Sequence, residues 1–482
     1  MNRIRLAMLS ILPLLFWALP ARGEEPVPPA KGFYAVVVSA KTAGDKDWAP
    51  VVAALKEKYD ARVIPWNEGV GEVRQPLAAA GANYACFVAR PEEAGRDFVV
   101  AVHRLTRRLD DDPYTDVLWG ILTGYDAADA LRVARLREPL VLKKVLAGTS
   151  GAWMGPFEEG AMFDEGKAGS MRVKTRDGKI EDQGCPNDST KAIVDYFNQQ
   201  KPDGFITSGH ATEHDWQIGY SYRNGQLRHQ DGQLFGLDTA RQRYDIHSPN
   251  PKVYLPVGNC LIGNIAGRDC MVTSLIHSAG VVQMFGYTVP TWYGKGGWGI
   301  QEVYLGQPGR WTLAQAFFIN TQAMLHEIET RYPKSARVDF DQYDMERNPA
   351  LLGQLAARHH LTDRDEKGLL WDRDTVAFYG DPAWEARPLR GPPAWEQKLV
   401  MEGNRYVLTL TANEDGAWPG KPVMELLPHR IAGAKIVKGE DTKAVITENF
   451  ILVPLQGKFR KGDKVEIVFE AGRAARGTAI AA

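Results

Sequence analysis

The chain has 482 residues, with 58 Lys and Arg against 59 Asp and Glu, for a formal charge of −1. So even a balance gives no attraction to nucleic acid or to an anionic membrane, and excludes both as electrostatically driven partners. The hydrophobic share of 44% is that of an ordinary globular protein and excludes a disordered or fibrous chain.

The chain opens with Arg3 and Arg5, an apolar run from Leu6 to Leu19, and the small residues Ala21 and Gly23. This pattern predicts a signal peptide over residues 1–23, because a spanning helix needs ~20 apolar residues. An uncleaved anchor is the alternative. The mature chain is therefore expected to be exported, periplasmic or secreted, and free of the membrane. Residues 24–31 read as a Pro/Glu/Ala-rich lead.

Residues 30–145 alternate strand and helix patterns. Apolar, β-rich runs cover Phe33 to Ser39, Arg62 to Trp66, Tyr84 to Val88 and Val117 to Leu122. Helical spacing covers Asp47 to Tyr59, Val73 to Ala80, Arg96 to Leu109, and Asp126 to Arg137, with Asp47 and Asp126 as expected N-caps. Such a βα repeat predicts a parallel sheet covered by helices. It has no Gly-rich phosphate loop, so no nucleotide role is expected.

Residues 146–390 form a second expected α/β region. Its first part, to residue 185, reads as Gly-rich and irregular. A helix is expected over Ser189 to Gln199, capped by Asp188 or Ser189. The strand Gly204-Phe205-Ile206-Thr207 follows and runs into Ser208-Gly209-His210. After a polar insertion over residues 211–250, Val253-Tyr254-Leu255-Pro256-Val257 runs into Gly258-Asn259-Cys260. Then come a helix from Cys270 to Ala279, a strand from Val281 to Tyr287, and a Gly- and aromatic-rich loop over residues 291–299. A helix over Trp311 to Glu329 and a short strand over Thr375 to Tyr379 close the region. Gly391-Pro392-Pro393 reads as a linker, and the period-2 runs of residues 396–472 predict a small β-sandwich.

Four cysteines occur in the chain. Cys86 lies inside an apolar run, Cys270 opens a helix and Cys185 sits in a Gly-Cys-Pro-Asn loop. No structural disulfide is expected, since a nucleophilic Cys260 must stay free. His210 and Cys260 each follow a strand and a small residue, so two neighbouring parallel strands would bring them together. A thiol attacks a carbonyl as thiolate, and His is the usual base. The Cys260 N–H and one beside His210 are candidate oxyanion donors.

These residues resemble the gingipain family of cysteine endopeptidases, within the caspase/legumain-like clan. The resemblance is carried by Ser208-Gly209-His210, by Cys260-Leu261-Ile262-Gly263-Asn264 and by Phe378-Tyr379-Gly380-Asp381-Pro382. It implies two caspase-like α/β subdomains with mainly parallel sheets, then an immunoglobulin-like β-sandwich. It implies His210 as base, Cys260 as nucleophile, and Ala211 and Cys260 as oxyanion amides. An upstream acid would orient the imidazole: Asp164 or Glu165, with Glu158, Glu213 and Asp215 as rivals. Tyr287, Thr288, Trp292 and Trp298 would wall the substrate pocket. The substrates would be peptides or proteins, no cofactor would be required, and a structural calcium ion is compatible with the family. Two positions depart from the pattern: Ala211 stands where Gly is usual, and Asn259 where Ala is frequent. A binding or scaffold protein without activity is therefore the competing class. A third reading is a zinc hydrolase, since His210-Ala211-Thr212-Glu213-His214 matches H-x-x-E-H. That chemistry needs both imidazoles on one face of a helix, whereas the flanking pattern is strand-like.

Overall fold

The structure is a computed structural model and describes residues 34–339, 357–358, 360–361 and 364–474. The expected signal segment and the lead after it lie outside the described residues. The core of the molecule is one twelve-stranded sheet. Its strands in chain order are β1 (Tyr34–Ser39), β2 (Arg62–Trp66), β3 (Tyr84–Val88), β4 (Leu118–Leu122), β5 (Lys144–Gly148), β6 (Glu159–Phe163), β7 (Ser170–Lys174), β8 (Ile180–Gly184), β9 (Gly204–Thr207), β10 (Lys252–Pro256), β11 (Val281–Tyr287) and β12 (Val376–Tyr379). Across the sheet they lie in the order β2-β1-β3-β4-β12-β11-β10-β9-β5-β6-β7-β8. Strands such as β1, β9, β10 and β11 are buried along their whole length. This is why they read as largely apolar runs rather than alternating ones.

The expected pair of sheets is thus a single sheet. β12 pairs parallel with β4 and antiparallel with β11. The strands of the first half therefore run opposite to β11, β10, β9, β5 and β6 of the second, and these two sets present their C-termini at opposite edges.

Helices cover the faces: α1 (Ala49–Tyr59), α2 (Arg74–Ala80), α3 (Arg96–Thr106), α4 (Ala127–Arg135), α5 (Thr190–Gln200), α6 (Met271–Ala279), α7 (Lys295–Gly306), α8 (Leu313–Arg331) and α9 (Arg364–Arg373). Asp126 caps α4 as expected, accepting from the Ala128 and Asp129 amides. Asp47 does not cap α1; Asp45 Oδ1 takes the Asp47 and Trp48 amides instead. Asp188 Oδ1 takes the Thr190 amide at the start of α5. The stretch expected to be irregular contributes β5 to β8. The polar insertion folds as a four-stranded antiparallel sheet, Asp215–Gln217, Gln226–Gln230, Gln233–Leu237 and Arg243–Asp245.

The C-terminal region is all β. A four-stranded sheet of Trp395–Glu402, Arg405–Ala412, Ile431–Lys438 and Lys464–Arg473 is accompanied by a three-stranded sheet of Val423–Leu426, Val445–Ile446 and Phe450–Val453. Alternate residues Tyr406, Leu408 and Leu410 enter a core of their own with Ile451, Ile467 and Phe469. Phe450 faces the α/β region instead, edge-on to Tyr114 at 5.4 Å. Asn449 Nδ2 donates to the Asp116 carbonyl at 2.8 Å across the same junction. All four cysteines are free thiols, with Cys86 and Cys270 buried.

Candidate active site

The register of β9 and β10 creates the site. Thr207 stands beside Pro256, and the Val257 amide donates to the Thr207 carbonyl at 2.9 Å. Three residues beyond Thr207 the first chain reaches His210; four beyond Pro256 the second reaches Cys260. Both side chains thus leave adjacent turns at one edge of the sheet.

Each turn has one residue in the left-handed region. On the histidine side this is Gly209, with φ of 90°, a value glycine adopts freely. Ala211 lies outside that region, so the side chain at this position strains nothing. On the cysteine side it is Leu261, with φ of 55°. A branched residue held there costs about 1–2 kcal/mol and marks a turn over-determined by its surroundings. Two backbone bonds do the holding: the Leu261 amide to the Val289 carbonyl at 3.1 Å, and the Gly263 amide to the Tyr287 carbonyl at 2.9 Å.

Asn259 ties the two turns together. It is fully buried. Thr207 Oγ1 donates to Asn259 Oδ1 at 2.7 Å, and Asn259 Nδ2 donates to the Gly209 carbonyl at 3.1 Å. With the Thr207 proton so committed, the Tyr254 hydroxyl donates to Thr207 Oγ1 at 2.8 Å. The substitution that departs from the family pattern is therefore a clamp between the turns, and its amide nitrogen is turned toward the Gly209 carbonyl.

The Thr291 amide donates to Cys260 Sγ at 3.2 Å and fixes the direction of the thiol. The His210 imidazole is exposed and stacks on Tyr220, with ring centroids 5.0 Å apart at 26°. Among the described residues His210 makes no side-chain hydrogen bond, either to Cys260 or to an acid. Catalytic hydrogen bonds are often long in ligand-free enzymes and tighten on the substrate. The Ala211 and Cys260 amides likewise have no acceptor among the described residues, so two donors stand open at this edge.

The expected acids do not reach the imidazole. Glu165 accepts from Thr149 Oγ1 at 2.9 Å, from Ser150 Oγ at 3.1 Å and from the Ser150 amide, and stands 3.5 Å from Ser208 Oγ. Its link to His210 runs through its backbone: the Glu165 carbonyl takes the Tyr220 amide at 2.6 Å, and the Tyr220 ring lies on the imidazole. Asp164 closes a local turn onto the Gly166 amide at 2.8 Å. Local donors take up both carboxylates, and neither is hydrogen-bonded to the imidazole.

The four expected pocket residues separate. Tyr287 and Thr288 are fully buried, because the Tyr287 hydroxyl donates to Asp372 at 2.9 Å and Thr288 Oγ1 to the Thr375 carbonyl at 3.0 Å. They support the wall from behind rather than line it. Trp292 packs against Tyr293 and Trp371. Trp298 is the exposed member, at 38%. It lies across Gly258 and Gly151, where an added Cβ would come within 3.2 Å and 2.8 Å of its ring. It thus lies beside the turn that carries Cys260. The expected loop before it is shorter than the sequence implies, since α7 begins at Lys295.

Asp372 sits under that helix. It accepts from the Gly296 amide at 2.8 Å as well as from Tyr287, and burial pushes its carboxyl up to about 7. Two residues on, burial alone would raise Asp374 too. Arg107, at 2.6 Å, and Arg373 instead hold it well below the carboxylate range.

The zinc-hydrolase geometry is absent. His210 to His214 follow a strand and lead into the strand Asp215–Gln217, so no helix places both imidazoles on one face. His214 turns to His229 instead. Elsewhere, Asp110, Asp112 and Asp116 gather, as do Asp126, Asp129 and His277. Oxygens of the first group already accept the Asp112, Tyr114 and Leu109 amides.

No family model matches the chain, and no curated protein matches it. Solved structures do. The chain is similar to the crystal structure of the Arg specific cysteine proteinase gingipain R, over 93% of this chain and 100% of that one, at 11% identity and a TM-score of 0.45. It is also similar to the complex of Porphyromonas gingivalis RgpB pro- and mature domains, over 91% and 99%, at 12% identity and a TM-score of 0.42. The site stands on its own geometry.

Proposed function

We propose that the chain is an exported cysteine endopeptidase acting on peptides or proteins. The observation that carries this reading is the register of β9 and β10, which sets His210 and Cys260 on adjacent clamped turns with two open amides beside them. His210 takes the Cys260 proton, and the thiolate attacks the scissile carbonyl carbon. The Ala211 and Cys260 amides receive the oxyanion. As the C–N bond breaks, His210 returns the proton to the leaving amine, leaving a thioester on Cys260. His210 then deprotonates a water that attacks the thioester; the acid departs and the thiol is restored. Trp298 supplies a flat apolar wall next to the nucleophile. Residues 1–23 act as the signal, and among the described residues no helix is long and apolar enough to cross a membrane.

A second reading has its own support. His210 is stacked on Tyr220 and not bonded to Cys260, as a catalytically silent binding protein would tolerate. One experiment separates the two. The mature protein is incubated with a mixed peptide library and, separately, with a peptidyl acyloxymethyl ketone. Cleavage and Cys260 labelling that both vanish in His210→Ala support the peptidase. Labelling that is slow and indifferent to His210, with no cleavage, rejects it in favour of the binding protein.

A further inference from the structure

The zinc-type motif of the sequence is not used as such, yet one of its histidines has found another partner. His214 Nδ1 lies 3.3 Å from His229 Nε2, with the two rings at 33°. His229 stands on the insertion strand Gln226–Gln230, and its Nδ1 lies 3.0 Å from Asp269 Oδ1. Asp269 is gripped in turn by the Asp231 and Gly232 amides, both at 3.0 Å. Those two residues form the tight hairpin turn to the strand Gln233–Leu237, both with positive φ, as an Asp-Gly turn favours.

We propose that His214 and His229 form a binding site for a zinc-class divalent ion. A carboxylate on His229 Nδ1 fixes that ring's tautomer, so Nε2 carries a lone pair directed at His214. The same carboxylate–histidine arrangement backs the ligands of metal sites and raises their basicity. Zinc–nitrogen bonds of ~2.0–2.1 Å at a tetrahedral angle place two nitrogens about 3.3 Å apart. The two ring nitrogens therefore already stand at the separation the ion requires, and a modest turn of the rings, freest at the exposed His214, brings both lone pairs onto it. Without metal, His214 Nδ1–H donates to His229 Nε2. On binding, that proton moves to the solvent-facing His214 Nε2, and both lone pairs meet the ion. His214 is exposed while the His229 side chain is 7% exposed, so one ligand is fixed and the remaining positions open to water. Imidazole with water suits zinc, cobalt and copper better than calcium or magnesium.

The site does not depend on thiol chemistry, and the test must keep it apart from Cys260 and His210, which also attract zinc. The Cys260→Ala protein is therefore titrated with Zn2+ by calorimetry, and with Co2+ by visible absorption. The expected result is about one ion per chain, a Co2+ spectrum without a sulfur charge-transfer band, and an affinity that falls at least ~10-fold in His214→Ala and ~10–100-fold in Asp269→Asn. His277→Ala, at the separate Asp126–Asp129 cluster, should leave the titration unchanged. Because His214 is exposed, its removal leaves the fold intact, which circular dichroism checks. An ion bound only when Cys260 is present overturns the proposal while supporting the cysteine–histidine pair. Binding indifferent to His214 overturns it outright.

Discussion

The two halves of the central sheet finish their strands in opposite ways. In the first half the polar groups beyond β1 and β3 are consumed on the spot. Glu93 accepts from Ser39 Oγ and Thr42 Oγ1, both at 2.6 Å, and from the Arg90 amide at 3.1 Å. Beyond β4, the Asp126 carboxylate is taken up capping the start of α4. In the second half, β9 and β10 end in an exposed imidazole, a thiol, a left-handed leucine and two open amides. The contrast extends to cysteine: Cys86, inside β3, has its thiol pushed far up by burial, whereas Cys260 stands on a turn. One architecture yields a sealed edge and an open one, and what differs is whether the strand-end donors and acceptors find partners within the chain.

The largest expected break in this contrast is loss of the base. His210→Ala should lower kcat/KM on a cleaved peptide by on the order of 10^3-fold with little change in Tm. Next is the clamp. Asn259→Ala strands the Thr207 hydroxyl and frees the Gly209 carbonyl, so it should cost about 2 kcal/mol in a urea melt and lower activity as well. A variant that loses activity alone would show that the clamp orients without stabilising.

The buried Asp372 gives a pH test. Asp372 has a folded pKa above its unfolded value, so its contribution to stability is complete below about pH 4 and is lost as pH rises through about 7. Wild-type protein should lose up to about 1.4 kcal/mol per pH unit in that window, and Asp372→Asn should flatten the slope, as read by urea melts at pH near 5 and near 7. On the sealed edge, Glu93→Ala should cost about 1–2 kcal/mol and leave kcat/KM per folded molecule unchanged. The smallest effect belongs to Tyr220→Ala. Since Tyr220 is 58% exposed, Tm should hold, while kcat falls roughly 10-fold as the imidazole loses its stacking face. An unchanged kcat there would remove Tyr220 from the positioning of His210.

Much of this was legible in the residues. β2, β3 and β11 match their expected ranges because each is an apolar run bounded by turn residues. β8 was not legible: Ile180–Gly184 is exposed and polar, so its strand character comes from pairing with β7 and not from periodicity. α7 was misread because its glycines imply a loop. They serve contact instead: a Cβ on Gly297 would meet the Val257 carbonyl at 2.1 Å, and one on Gly299 would meet Asn320 at 2.0 Å. The placing of His210 and Cys260 on neighbouring strand-end turns was legible from a strand followed by a small residue. Asn259 looked like a defect because its two partners lie fifty residues away, and Tyr220 carried no signal beyond an aromatic-rich insertion.

β12 has a consequence for how the protein is made. It joins the halves, yet it is the last of the twelve strands to be synthesised. Until the ribosome passes residue 379, β4 and β11 each present a bare hydrogen-bonding edge, the kind that invites wrong pairing. The final zipper also spans a long sequence separation, which makes it a slow step. The two halves of the sheet therefore cannot lock together before nearly the whole α/β region has been made, and folding of the Cys260 half is tied to the arrival of residues 376–379.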